Sequence, residues 1–204
     1  MKPIFIICLL FTSSLLSVAQ GRFCKSYEDY QADSWVELPS LETTHRGFGL
    51  TTGDKAMDKQ LKREALVIQR SDTMYVNLRL VWCEKMRFGN GLADAYPLVG
   101  KKILFVTRRV DRKSSHRLMV SYMAFGLVGE LITTSKVKKR ACYILDSPRN
   151  GKYTDVMLLG DDEMRKLLAD DKVLLDRYFM VKDRMERETA SNILPLLREK
   201  GLVK

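Results

Sequence analysis

The chain has 204 residues, 46% hydrophobic and 29% charged, with 35 basic residues against 25 acidic ones and a formal net charge of +10. This balance excludes a disordered tail, a collagen-like chain and a small disulfide scaffold. The length suffices for one domain with a substantial core, or two small ones.

The chain begins MKPIFIICLLFTSSLLSVAQ, in which Lys2 is the only charge and an apolar run covers residues 3–11. Ser17 and Ala19 stand at the −3 and −1 positions of a cut before Gln20. A charged start, a short apolar run and a small-x-small end predict a secretory signal peptide over residues 1–19. A membrane anchor needs about 20 apolar residues in succession, and Thr12, Ser13 and Ser14 interrupt this run. Export to the periplasm or the extracellular space is therefore expected, with no transmembrane span in the mature chain. With Cys8 in the leader, Cys24, Cys83 and Cys142 remain. Three cysteines allow at most one internal disulfide. None belongs to a CxxC pair, and only His45 and His116 could join them as metal ligands. Zinc sites need clustered ligands, so neither a metal nor a cofactor is expected. Cys83 and Cys142 lie in apolar, strand-like stretches and read as buried and inert.

Residues 20–54 contain Pro39, Gly47, Gly49 and Gly53 and read as an irregular N-terminal arm with short strands at most, around residues 34–38. Residues 55–204 read as a single α+β domain. Asp54 caps a helix whose inward face carries Met57 and Leu61. Strand character begins at Ala65, and Ser71 and Asp72 make a turn. The stretch TMYVNLRLVWC, residues 73–83, alternates apolar Met74, Val76, Leu78, Leu80 and Trp82 with Tyr75, Asn77, Arg79 and Val81. It predicts one long strand with a buried face and a wet face. Gly89, Asn90 and Gly91 break the chain, as do Pro97 and Gly100. Residues 102–110 form another strand, and residues 139–146 and 153–159 form a hairpin turning at Pro148, Asn150 and Gly151. The rest is helical. Asp161 opens a helix with Met164, Leu167 and Leu168 inward. Asp170 or Asp171 opens the next, with Leu174, Leu175 and Tyr178 inward. Residues 184–200 make a third, kinked or interrupted by Pro195 and stopped at Gly201. Strands first and helices last predict an α+β fold: a small antiparallel sheet covered by helices mostly from the C-terminal third.

Several of these segments carry a resemblance. DTMYVNLR, EKMRFGNGLADAY, KKILFV and KKRACYILD occur in that order, followed by a leucine-rich LL-D-LL-Y helix and a final ILPLL helix. Together they resemble a family of secreted bacterial proteins of unknown function, over residues 55–203. The resemblance implies export from a Gram-negative cell of the gut or oral type. It implies no activity and carries over no functional residue. Where relatives have a glycine-rich run before KKR, this chain has Gly126 and Gly129.

No GxSxG elbow, phosphate-binding GxxxxGK[ST] loop or GxGxxG turn is present, and GFGLTTGDK lacks the phosphate-loop spacing. No catalytic residue is assigned. Asp161, Asp162 and Glu163 suit the positive end of a helix. The apolar residues 118–132 would span only ~22 Å as a helix, short of a ~30 Å hydrocarbon core, and read as a buried helix or strand pair. The basic residues have functional colour. Arg108, Arg109, Arg112, Lys113, His116 and Arg117 cluster about one loop, and Lys136, Lys138 and Arg140 alternate at strand spacing. Such a face attracts anions, so Lys136, Lys138, Arg140, Arg108 and Arg109 are the candidate anion contacts. The expected partners are an anionic envelope component or another envelope protein. Specific nucleic-acid binding is not expected, since basic and aromatic residues do not interleave. The reading is a non-enzymatic exported envelope or extracellular interaction protein. The alternative is an exported hydrolase whose catalytic residues the sequence does not identify.

Overall fold

In the computed structural model, residues 21–45, 47–109, 140–149 and 153–203 are described. The expected signal peptide, the apolar residues 118–132, His116, Lys136 and Lys138 lie outside the described residues.

Alternating and apolar runs build β1 (Gly21–Cys24), β2 (Val36–Leu38), β3 (Glu42–Thr43), β4 (Leu50–Thr51), β5 (Val67–Arg70) and β6 (Thr73–Asn77). They continue as β7 (Val81–Cys83), β8 (Met86–Arg87), β9 (Leu92–Leu98), β10 (Lys102–Arg108), β11 (Arg140–Arg149) and β12 (Tyr153–Leu158). The helices are α1 (Tyr27–Gln31), α2 (Lys55–Glu64), α3 (Asp161–Leu167), α4 (Lys172–Met180), α5 (Arg184–Arg187) and α6 (Ala190–Glu199). Strands β3 and β4 pair with each other, and the other ten form one sheet in the order β2-β1-β5-β6-β9-β10-β11-β12-β7-β8. All its neighbours are antiparallel except β12 and β7, which run parallel.

The expectation of a small antiparallel sheet covered by helices is corrected: the sheet is large, ten-stranded and mixed. Two features enlarge it. Residues of the stretch read as an irregular arm supply β1 and β2, with β1 registered on β5 so that Phe23 lies opposite Ile68. The single strand expected over residues 73–83 splits at Asn77. That side chain is fully buried and its Nδ2 donates to the carbonyls of Ala65 at 2.9 Å and Lys62 at 3.3 Å, closing the end of α2. Its Oδ1 accepts the Arg79 N–H at 3.1 Å, and its carbonyl accepts the Leu80 N–H at 3.0 Å. Asn is a turn former because its side chain substitutes for the backbone in this way. The chain therefore turns, and β7 joins the far side of β12. The expected faces fail with it: Leu80 and Val81 are both buried, while Trp82 is only partly so.

One face of the sheet buries Cys24 of β1, Val76 of β6, Phe105 of β10, Tyr143 of β11 and Val156 of β12 in a single cluster. The intervening strands supply Val67, Ala93 and Ala95 to the same cluster, so this core is continuous along the face. Phe88 joins Phe105 and Tyr143 in an aromatic group, with ring centroids 4.8 Å apart for Phe88 and Tyr143. The Lys101 ammonium donates to the Gln31 carbonyl at 2.6 Å, tying α1 to the turn between β9 and β10. The opposite face carries two separate covers. Phe23 and Ile68 pack against Leu61 of α2, and Leu104, Val106, Cys142 and Ile144 pack under α3, α4 and α6. Strand β10 is buried on both faces, which is why its sequence is a continuous apolar run instead of an alternation.

The third C-terminal helix breaks at Thr189, which bridges to Ala141, and not at Pro195. Pro195 sits inside α6 on its exposed side, where the missing N–H leaves the Ser191 carbonyl without its helical partner. Among the described residues no helix is long and apolar enough to cross a membrane.

Candidate functional site

Three of the five candidate anion contacts, Arg108, Arg109 and Arg140, are described, and they fall into two different surroundings. Lys136 and Lys138 lie outside the described residues. Arg109, one residue beyond β10, is 9% exposed, and its Nη2 donates to Glu188 Oε2 at 2.6 Å. Glu188 is fully buried and also accepts from Arg184 Nε at 2.7 Å. The group continues through Asp161, which receives two hydrogen bonds from Arg187, at 3.0 and 2.7 Å, and one from the Tyr178 hydroxyl at 2.9 Å. The Arg187 hydrogen bonds hold the Asp161 carboxyl below the usual carboxylate range, against the opposing effect of its partial burial. Burial and the bond to Asp161 push the Tyr178 phenol up. A Cβ at Gly160 would meet Glu188 Oε1 at 3.0 Å, so the chain entering α3 fits closely against this carboxylate. The cluster joins the end of β10 to α3, α4 and α5 and presents Arg109 to a carboxylate of its own chain. Arg109, expected as an anion contact, is thus buried against Glu188.

Arg108 and Arg140 behave differently. They are cross-strand partners, Arg108 of β10 opposite Arg140 of β11. Directly opposed residues share one face of a sheet. Two residues back along β10, Val106 lies opposite Asp94 of β9, placing Asp94 on the same face. Arg108 Nη2 donates to the Phe88 carbonyl at 2.9 Å. Arg140 approaches Asp94 only at 4.0 Å, with the side chains 68% and 53% exposed.

Two clefts open here and share Asp94, Val106 and Arg140. The first, about 540 Å³, runs between α6 and the sheet and includes Tyr96, Ser191 and Arg198. The second, about 640 Å³, lies against the loop before β9 and includes Gly89, Asn90 and Arg108. Among the described residues, the charged side chains lining the second cleft are Arg108, Arg140 and Asp94. One carboxylate against two guanidinia leaves a positive excess.

Nucleophilic and metal-binding groups lie elsewhere. Cys24, Cys83 and Cys142 are buried, and burial pushes Cys24 and Cys142 up to about 12. A thiol so raised holds its proton at neutral pH. His45 is exposed on the loop between β3 and β4. Among the described residues no three His, Cys, Asp or Glu side chains group as metal ligands. The residues 161–163 occupy the first turn of α3, as the charge pattern predicts. Asp94 and Asn90 were not distinguished in the sequence. Their signal is contextual, within the segment EKMRFGNGLADAY, where a glycine-flanked asparagine marks a turn but no residue type marks a cleft.

A match to the family of unknown function DUF6563 covers residues 22–201, and the chain belongs to that family. The matched span includes β2 and all of β1 but Gly21, in keeping with their place in the main sheet. No curated protein and no solved structure matches the chain.

Proposed function

We propose that this is a non-enzymatic exported interaction protein of a bacterial cell envelope, and that it contacts an anionic envelope component through the face carrying Arg108 and Arg140. The carrying observation is the direct opposition of these arginines on neighbouring strands at a solvent-open cleft. Like charges directly opposite are destabilising. An incoming anion relieves that repulsion and needs little ordering of side chains mounted on strands. The surroundings of the shifted groups support the non-enzymatic reading. Asp161 and Arg187 satisfy each other, and Cys24 and Cys142 lie in the core. The signal-like sequence of residues 1–19 supports export.

Cosedimentation with purified lipopolysaccharide tests this reading. Binding is expected at low salt and should weaken towards 0.15 M, where exposed charges are screened over ~8 Å. Replacing Lys136, Lys138 and Arg140 together by Gln should weaken it further while leaving the unfolding transition in place. Wild-type protein that stays in the supernatant at low salt contradicts the proposal.

A further inference from the structure

We infer that the cleft between Arg108 and the loop before β9 is a site for a phosphate monoester carried on a sugar. This narrows the anionic contact proposed above and rests on it for the arginine pair. Opposed residues on neighbouring antiparallel strands have Cα atoms roughly 5 Å apart, so both guanidinia can reach one anion. A carboxylate carries a single charge on two oxygens. A phosphate monoester carries about −1.5 to −2 charge at pH 7 and three terminal oxygens, enough for a fork from each arginine.

The walls of the cleft fit a ligand of that kind. Arg108 is already oriented by its bond to the Phe88 carbonyl, 2.9 Å long. Its guanidinium lies beside Gly89, where a Cβ would come 3.5 Å from Nη2. Gly89 and Gly91 have φ of 103° and 125°, a backbone region that side chains disfavour. At Gly91 a Cβ would meet nothing within 4 Å, so the loop is open on that side. The same loop is anchored, since the Leu78 N–H donates to the Gly91 carbonyl at 3.0 Å. Exposed Asn90 lines the cleft and offers both a donor and an acceptor, the combination that hydroxyl groups require. Leu92 and Val106 supply apolar wall for the C–H face of a pyranose. A volume of about 640 Å³ is that of a small-molecule site and far exceeds a bare phosphate. Asp94, close to Arg140, is the acidic wall residue among the described residues, and it works against an anion.

Calorimetric titration of the wild-type chain at low salt with glucose 1-phosphate, glucose and inorganic phosphate tests the inference. Glucose 1-phosphate should bind about tenfold tighter than either of the others, and R108Q and R140Q should each weaken it about tenfold. D94N should tighten it, because the change removes a negative charge beside the anion; a cationic ligand would respond in the opposite sense. Urea unfolding of each variant shows whether a loss of binding is a loss of fold. Equal affinity for glucose and glucose 1-phosphate, or binding indifferent to R108Q, overturns the inference. Purified lipopolysaccharide in parallel separates the two readings. If it binds while glucose 1-phosphate does not, the sugar-phosphate site falls and the envelope contact stands. If glucose 1-phosphate binds and lipopolysaccharide does not, the envelope contact falls and the site stands.

Discussion

Arg108 and Arg109 are neighbours in the chain and belong to two regions of opposite character. Around Arg109, charges are taken out of water and matched: Glu188 is fully buried between Arg109 and Arg184, and Asp161 receives Arg187 through two bonds. Around Arg108, charges stay in water and are left unbalanced, with Arg140 opposite and Asp94 only loosely engaged. Buried ions need partners at hydrogen-bond distance because the desolvation cost is several kcal/mol per ion. Exposed ions contribute little to stability whether paired or not. The first region therefore holds the C-terminal helices to the sheet, and the second is the face proposed to meet an external anion.

The largest effect is expected at Glu188. Glu188→Ala leaves Arg109 buried without this carboxylate and should lower stability by about 3–5 kcal/mol. The double variant R109M/E188L, which removes both charges, should recover much of that loss in urea unfolding. If the single variant unfolds like the wild type, the buried region is not the clamp described. Leu80→Ala gives an apolar reference of about 2–5 kcal/mol, since Leu80 is 1% exposed. A change below about 1 kcal/mol, the size of a surface effect, would remove Leu80 from the core.

A smaller effect concerns acid. The Asp161 carboxyl is held low in the folded chain, first by its bonds to Arg187. As pH falls below about 4, the usual carboxylate value, the unfolded chain takes up the proton before the folded one. The stabilisation is thus complete above that value and is lost as pH drops through the lowered one. D161N should be less stable at neutral pH and should flatten the acid end of the pH–stability curve. An unchanged acid slope contradicts the role of the Arg187 bonds. The smallest stability effect is expected for R108Q/R140Q, within about 0.5 kcal/mol as for surface changes, measured by the same unfolding.

The contrast between the regions was only partly legible in the sequence. Local signals identified local structure: Asp54 caps α2 and Leu61 is its buried residue, and β12 pairs antiparallel with β11 as the hairpin pattern predicts, although Pro148 lies inside β11. The size of the sheet was not legible, because it depends on pairings between distant segments. Asn77 reads as one polar position in an alternating run until the end of α2 supplies carbonyls for its amide. Gly21 to Cys24 has little strand pattern of its own and is fixed by β5 and β2. The basic cluster at residues 108–117 identifies Arg108 and Arg109 equally. Only the fold brings Glu188 to one and Arg140 to the other. The i, i+4 spacing of Arg184 and Glu188 was readable as a helical pair, but nothing in it announced Arg109.

The central claim is that the exposed arginine pair is a binding surface while its buried neighbour is structural. The most direct measurement is lipopolysaccharide binding by R108Q/R140Q at low salt, with its urea midpoint taken on the same sample. The account predicts affinity reduced by about tenfold or more and a midpoint close to that of the wild type. Unchanged affinity in a folded double variant would contradict it.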